Sequence, residues 1–309
     1  MCDNADDYYL LATRKMRAKQ YDEAIAAYDA AIQLDPDYAY AYVDRGVVKF
    51  KLGQHDEAIA DFDKAIHLDP DNALTYVNRG AAKADRGQFA DAVKDYDKAI
   101  ALNPTYVFAY YARGHAKIHL EQYADAIIDY DIGLKMEPYD YGYRRRADAK
   151  AQLGRYAEAI EDYDKVIELD PDDYYAYISR ANAKSKLGQA DAAIADCDKA
   201  VALKPGDADV YIRRGMTKAT FRQYAEAVDD YNEAIRIDPD YVHGYIGRGM
   251  SQYELCHPWE AKQDFQAAVK LAEQAGDEGL KAFIESLIES RPWLTQPVDV
   301  VDSNGSSQW

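Results

Sequence analysis

Prolines at Pro36, Pro70, Pro104, Pro138, Pro171, Pro205 and Pro239 stand 34, 34, 34, 33, 34 and 34 residues apart. A chain that repeats at this period folds as stacked copies of one small unit, each too short to bury its apolar face alone and therefore dependent on its neighbours. Tyr76 to Pro104 shows the unit most plainly: Y-V-N-R-G-A-A-K-A-D-R-G-Q-F-A-D-A-V-K-D-Y-D-K-A-I-A-L-N-P. With the proline numbered position 32 and Tyr76 position 4, apolar residues recur at three- and four-residue spacing over about positions 2 to 14 and 17 to 30. That spacing predicts two helices, A and B. Gly53, Gly87, Gly154 and Gly188 fall at position 15 between them, where glycine can take the left-handed conformation that ends a helix, and the proline stops helix B.

The recurring residues resemble the tetratricopeptide repeat, which has an aromatic at position 4, Gly at 8, Ala at 20, an aromatic at 24, Ala at 27 and Pro at 32. In the third unit these slots hold Tyr76, Gly80, Ala92, Tyr96, Ala99 and Pro104, and in the second Tyr42, Gly46, Ala58, Phe62, Ala65 and Pro70. The resemblance implies an all-α fold, a right-handed superhelical α-solenoid of antiparallel helix pairs. Eight repeats are expected, near 5-38, 39-72, 73-106, 107-139, 140-173, 174-207, 208-241 and 242-275. The eighth lacks its proline, so its helix B is expected to run on from about Trp259 to Glu273. A capping helix over 279-290, with Leu280, Phe283, Ile284, Leu287 and Ile288 on one stripe, should close a single domain spanning 1-290, followed by a flexible tail over 291-309. Between Pro138 and Tyr143 one loop residue is missing relative to the other junctions.

Composition narrows the function classes. With 55 acidic against 37 basic side chains the net charge is −18, which opposes nucleic-acid and anionic-membrane binding. Cys2, Cys197 and Cys256 form neither a metal pair nor a disulfide ladder. Cys197 fills a slot that is aromatic in most sister repeats and reads as a small core residue. The N-terminus lacks the basic and apolar regions of a secretory signal, and no apolar run reaches membrane-spanning length. A cytoplasmic protein is expected.

Position 7 is Arg in every unit from the second on, as Arg45, Arg79, Arg113, Arg146, Arg180, Arg214 and Arg248, and position 23 is then always Asp, as Asp61, Asp95, Asp129, Asp162, Asp196, Asp230 and Asp264. The first unit lacks both, having Leu11 and Ala27. Paired presence and paired absence predict a salt bridge between helices A and B, within a unit or across a junction. Most of the 28 tyrosines fall at positions 4, 17 and 24 and are expected to pack.

In the family resembled, positions 2, 5, 9 and 12 of the A helices line a concave groove. Carried onto this chain, the groove holds Tyr40, Val43, Val47 and Phe50, then Leu74, Val77 and, from position 6, Asn78, then Phe108, Tyr111 and His115, then Tyr141, Arg144 and Asp148, then Tyr175, Ile178 and Asn182. The alternative is that these residues touch neighbouring A helices. Arg144 is expected to orient a partner through an acidic group or C-terminus, beside Tyr141 and Tyr175. The two-carboxylate clamp of chaperone-binding members is absent, since Val43, Val47, Phe108 and Ala112 stand where it needs polar or basic residues and only Asn78 matches. His115 and His119, one turn apart, have no certain third ligand beyond Asp148, so no metal site is assigned. No catalytic set and no phosphate loop is present, so neither an enzyme nor a cofactor is expected. The preferred function is a non-enzymatic scaffold binding a peptide or helical segment of a partner protein in the groove. The alternative is a self-assembling protein, a homo-oligomer joined through its ends or its C-terminal tail.

Overall fold

The computed structural model describes residues 4–291, in seventeen α-helices with no strand among the described residues. Cys2 and the expected tail from residue 292 onward lie outside them. The chain divides into two compact units, the first ending at Arg155 and the second beginning at Tyr156. The first holds α1 (Ala5–Arg17), α2 (Tyr21–Leu34), α3 (Ala39–Lys51), α4 (His55–Leu68), α5 (Ala73–Asp85), α6 (Phe89–Leu102), α7 (Val107–His119), α8 (Tyr123–Met136) and α9 (Asp140–Gln152). The second holds α10 (Tyr156–Leu169), α11 (Tyr174–Lys186), α12 (Ala190–Leu203), α13 (Ala208–Thr220), α14 (Tyr224–Ile237), α15 (Val242–Glu254), α16 (Pro258–Ala275) and α17 (Glu278–Glu289). In each unit helices pair in sequence order, and successive A helices also touch, α1 through α9 in odd numbers in the first and α11, α13 and α15 in the second.

Each hairpin follows from a few residues. At position 15 the backbone is left-handed whether glycine stands there, as Gly53, Gly87, Gly154 and Gly188 with φ 73–75°, or another residue does, as Lys19, Glu121, Arg222 and Cys256 with φ 58–62°. The proline at position 32 forces the residue before it out of the helical region, so Asp35 caps α2 with φ −134° and ψ 94°. The proline carbonyl, unable to continue a helix ladder, accepts a hydrogen bond from the tyrosine six residues on, as in Tyr76 to Pro70 at 3.1 Å and Tyr110 to Pro104 at 3.2 Å.

The core of each pair is an alanine at position 20 against a ring at position 24. Ala24, Ala58, Ala92, Ala126, Ala159, Ala193, Ala227 and Ala261 are fully buried. Glycine at position 8 gives the ring room: a Cβ on Gly46 would sit 2.7 Å from Phe62, and one on Gly80 2.7 Å from Tyr96. Where the ring becomes Cys197, the glycine becomes Ala181, and Phe221 fills in beside them. Burial pushes the Cys197 thiol pKa up, consistent with a packing role.

Arg at position 7 makes the predicted bridge and a second one that the sequence pattern left open. Arg113 clamps Asp129 with Nε at 3.0 Å and Nη2 at 2.5 Å, while its Nη1 reaches Asp97 of the preceding repeat at 2.5 Å. Lys117 adds a third contact to Asp129 at 2.8 Å. The same arrangement joins Arg45 to Asp61 and Asp29, Arg79 to Asp95 and Asp63, Arg180 to Asp196 and Asp164, and Arg214 to Asp230 and Asp198. Arg248 meets Asp264 and, in place of the second carboxylate, Asn232. Each guanidinium also lies over the position-4 ring, 5.6 Å from the centroid for Arg113 and Tyr110. Burial alone would lower the arginine pKa, but its hydrogen bonds to Asp129 and Asp97 raise it.

The ends depart from the pattern. In the first repeat the missing bridge is replaced by Tyr9 donating to Asp44 at 2.8 Å and by Lys15 paired with Glu23 at 2.6 Å. At the other end α16 runs on beyond the usual length of helix B, as expected, to Ala275, ending on left-handed Gly276. On α17, Ile284 is buried and Leu280, Leu287 and Ile288 pack on α16, whereas Phe283 turns outward and is 53% exposed. The stripe is therefore narrower than its sequence implied.

The bridges predict an asymmetry between the two carboxylates. Asp129→Ala, which removes the buried carboxylate shared by half-buried Arg113 and Lys117, should cost about 3 kcal/mol or more. Asp97→Ala, at a carboxylate whose side chain is 54% exposed, should cost under about 1 kcal/mol. Urea denaturation of the two variants, with a double-mutant cycle on Arg113 and Asp129, measures both.

Candidate functional site

The site grows from the one irregular junction. Between α8 and α9 the connection has three residues, 137–139, where the other connections between successive repeats in the first unit, 35–38, 69–72 and 103–106, have four. Position 5 of α7 is Tyr111, where α3, α5, α11, α13 and α15 carry Val43, Val77, Ile178, Ile212 and Ile246. Two glycines make space for the larger ring. A Cβ on Gly133, where most repeats have Ala, would lie 2.8 Å from Tyr111, and one on Gly142 would lie 2.6 Å away. The Tyr111 hydroxyl donates to the Glu137 carbonyl in the shortened loop at 2.6 Å. Burial, with the nearby Glu137 charge adding to it, pushes the phenol up to about 12.

Tyr111 is thereby held as one wall of a cavity of about 490 Å³ among α5 to α9. The rest of the lining is mostly aromatic: Tyr96 and Phe89 from α6, Phe108, His115 and His119 from α7, and Tyr139 and Tyr141 at the start of α9. Phe89 stacks flat on His119 with centroids 4.2 Å apart, and His119 meets His115 edge-on at 4.8 Å. Tyr141 lies 6.2 Å from Tyr139 and 6.4 Å from His115. The single carboxylate of the lining is Asp85, exposed at the end of α5.

Behind this wall, the Arg145 guanidinium sits 5.1 Å from the Tyr141 centroid, with Asp148 3.6 Å from its Nη1. Its Nε and the hydroxyl of Tyr130 are buried without a hydrogen-bond partner. Burial lowers the His115 pKa, and the charges of His119 and Arg145 lower it further against the opposing pull of Asp85. His115 is therefore a neutral imidazole at neutral pH.

The residues expected from sequence to line a groove divide by position. At position 2, Tyr40, Leu74, Phe108 and Tyr175 are exposed ridges, and Tyr141 is half-buried. At position 5, Val43, Val77 and Ile178 are buried, because this face meets the adjoining helices; Tyr111 is 7% exposed and lines the cavity. Val47 and Phe50 pack half-buried against the Phe62 core, Asn78 and Asp148 are half-buried, and Asn182 is exposed. Arg144, expected to face a ligand, is half-buried and already partnered. At position 9, His115 reaches the cavity, as does Ala81 of α5. Among the described residues no group of three or more His, Cys, Asp or Glu is placed to hold a metal. No helix among them is long and apolar enough to cross a membrane.

Sequence reasoning missed Asp85, Phe89, Tyr96, Tyr139 and Arg145 as site residues. The available signal was the coincidence of two glycine replacements, Gly133 and Gly142, with the deleted loop residue and an oversized position 5. Four departures at one junction mark a place where the packing was rebuilt.

Three models of the tetratricopeptide repeat match the chain, one over residues 11–74, one over 82–118 and 147–188, and one over 178–242. Together they take in more than half of the chain. No curated protein sequence matches it. Among solved structures, the MamA protein is 28% identical with a TM-score of 0.52, the match covering 54% of this chain and 92% of that one. The C-terminal part of a repeat protein from Cytophaga hutchinsonii is 19% identical with a TM-score of 0.67, covering 77% and 98%. YrrB, described as a tetratricopeptide repeat protein with an unusual peptide-binding site, is 23% identical with a TM-score of 0.52, covering 59% and 95%. The last two likenesses are of fold alone.

Two measurements probe the cavity wall. Gly142→Ala should drive a methyl into Tyr111 and Leu134 and cost about 1–3 kcal/mol, read as a fall in thermal midpoint. For His115 the folded pKa lies below the unfolded one, so its contribution to stability is complete above the unfolded value, about 6.5, and is lost as pH falls through the depressed folded value. His115→Gln should therefore narrow the gap in urea midpoint between pH 7.5 and pH 5.5, and an unchanged gap would mean that His115 is not the acid-sensitive group.

Proposed function

The chain belongs to the tetratricopeptide repeat family, and from that premise we propose that it is a non-enzymatic scaffold whose A helices hold a segment of a partner protein. The anchor is the aromatic cavity among α5 to α9, and that cavity is the observation carrying the reading. It is concave, mostly apolar and edged by a few polar groups, which is the composition of a site that seats a side chain and orients it. Exposed Phe108 at its mouth, with Leu74 and Tyr40 on the preceding A helices, offers apolar surface along which a bound segment can run.

The anchor is assigned to the cavity rather than to Arg144. That arginine is already engaged within the protein, and redirecting it to a ligand would break existing contacts. Tyr175 and Asn182, in the second unit, are exposed and available to a partner independently. Hydrophobic and aromatic anchors of this kind commonly account for about 2 kcal/mol or more of binding energy each.

A photoreactive benzoylphenylalanine at position 108, at the cavity mouth, should crosslink one defined segment of one partner, competed away by the synthetic segment. The same group at position 128, where Ile128 is equally exposed on α8, should not. Specific capture from 128 and none from 108 would move the binding surface off the A helices and remove this reading.

A further inference from the structure

We propose that the aromatic cavity takes a cationic side chain, arginine or lysine, from a basic segment of the partner. This rests on the scaffold reading above and names the chemistry of what is bound.

The walls present the faces and edges of Phe89, Phe108, Tyr96, Tyr111, Tyr139 and Tyr141. Aromatic faces carry the negative end of the ring quadrupole and attract a cation, most strongly where water is displaced. The formal charges nearby then decide the sign. Asp85 is the carboxylate of the lining, and His115 is held neutral by its burial. The one arginine in the second layer, Arg145, is stacked on Tyr141 and balanced by Asp148. The balance at neutral pH is one unmatched negative charge beside electron-rich rings. A guest carboxylate would meet Asp85 and the ring faces and be repelled by both.

An aliphatic guest would fill the volume but gain nothing from the carboxylate of Asp85, which lines it. A guanidinium has N–H donors for that carboxylate and a flat face for the rings. At longer range the chain's net charge of −18 draws a basic segment toward any part of it, so the cavity supplies the position and the field supplies the encounter.

His115 makes the site sensitive to acid. Facing it are Asp85 on α5, Phe89 and Tyr96 on α6, His119 on its own helix, and Tyr141 and Arg145 on α9. Protonating His115 places a positive charge against the guest, so affinity should fall as pH is lowered from 7.5 to 5.5.

The test is selection of a random 12-residue peptide library on the intact chain at near-physiological salt, where general electrostatic attraction is screened. Recovered peptides should share an arginine or lysine at one position. Synthetic copies with that arginine replaced by citrulline, or that lysine by norleucine, should bind about tenfold more weakly. Asp85→Asn and Phe89→Ala should each weaken the parent peptide and not the neutral copy, with helicity by circular dichroism showing that both variants fold. Peptides whose shared residue is aromatic, aliphatic or acidic, or neutral copies that bind as well as the parent, overturn the cationic assignment and leave the scaffold reading standing. Basic peptides with no fixed position, indifferent to both substitutions, reflect the net charge of the chain and also overturn it. Recovery of no peptide at all, with no crosslink from position 108, overturns both.

Discussion

Everything in this structure depends on a buried carboxylate held between two helices. Asp129, fully buried, takes two bonds from Arg113 and one from Lys117, and the third guanidinium nitrogen passes the contact on to the previous repeat. An ion pair withdrawn from water contributes little unless every donor and acceptor is matched. Here the fork of the arginine fits the carboxylate in one orientation, which fixes how helix A lies on helix B and how one hairpin lies on the last. Coupling of this kind suits a linear array, whose stability is the sum of what each unit contributes and what each junction contributes.

Because these groups set the geometry of stacking, they recur whether or not a repeat binds anything. The same holds for the proline carbonyl capped by tyrosine and for the small residue, glycine in most repeats, beneath the position-24 ring. The candidate site is built where the rules relax. At the junction of α8 and α9 a lost loop residue, Gly133 and Gly142 admit the Tyr111 ring, which forms one wall of the cavity. Its chemistry comes from residues of several units brought to one place, Asp85 and Phe89 from one repeat, His115 and His119 from the next, Tyr141 from a third.

Much of the fold was legible before any coordinates: the period gave the units, three- and four-residue spacing the helices, and co-occurrence of Arg and Asp the bridge. The misjudged residues share a cause. Val43, Val77 and Ile178 stand at positions that face a groove in the resembled family, but a helix face two residues wide serves both a groove and a neighbouring helix, and only packing says which takes a given side chain. Arg145 was overlooked beside Arg144 because consecutive helical residues point about 100° apart, and the direction of each depends on how α9 is seated. Tyr96 read as a packing residue, and it is, yet it also gives one surface to the cavity.

By itself the sequence determined the helices, their ends and the ion pairs that repeat with them, since these arise from local conformational preference and from contacts at fixed spacing within one period. The tertiary structure alone decided the site. Cavity walls are contacts among residues of different repeats, and whether they close or leave a void is set by sub-ångström differences in helix seating, of the order by which Gly142 accommodates Tyr111, to which a pattern of residue types is blind.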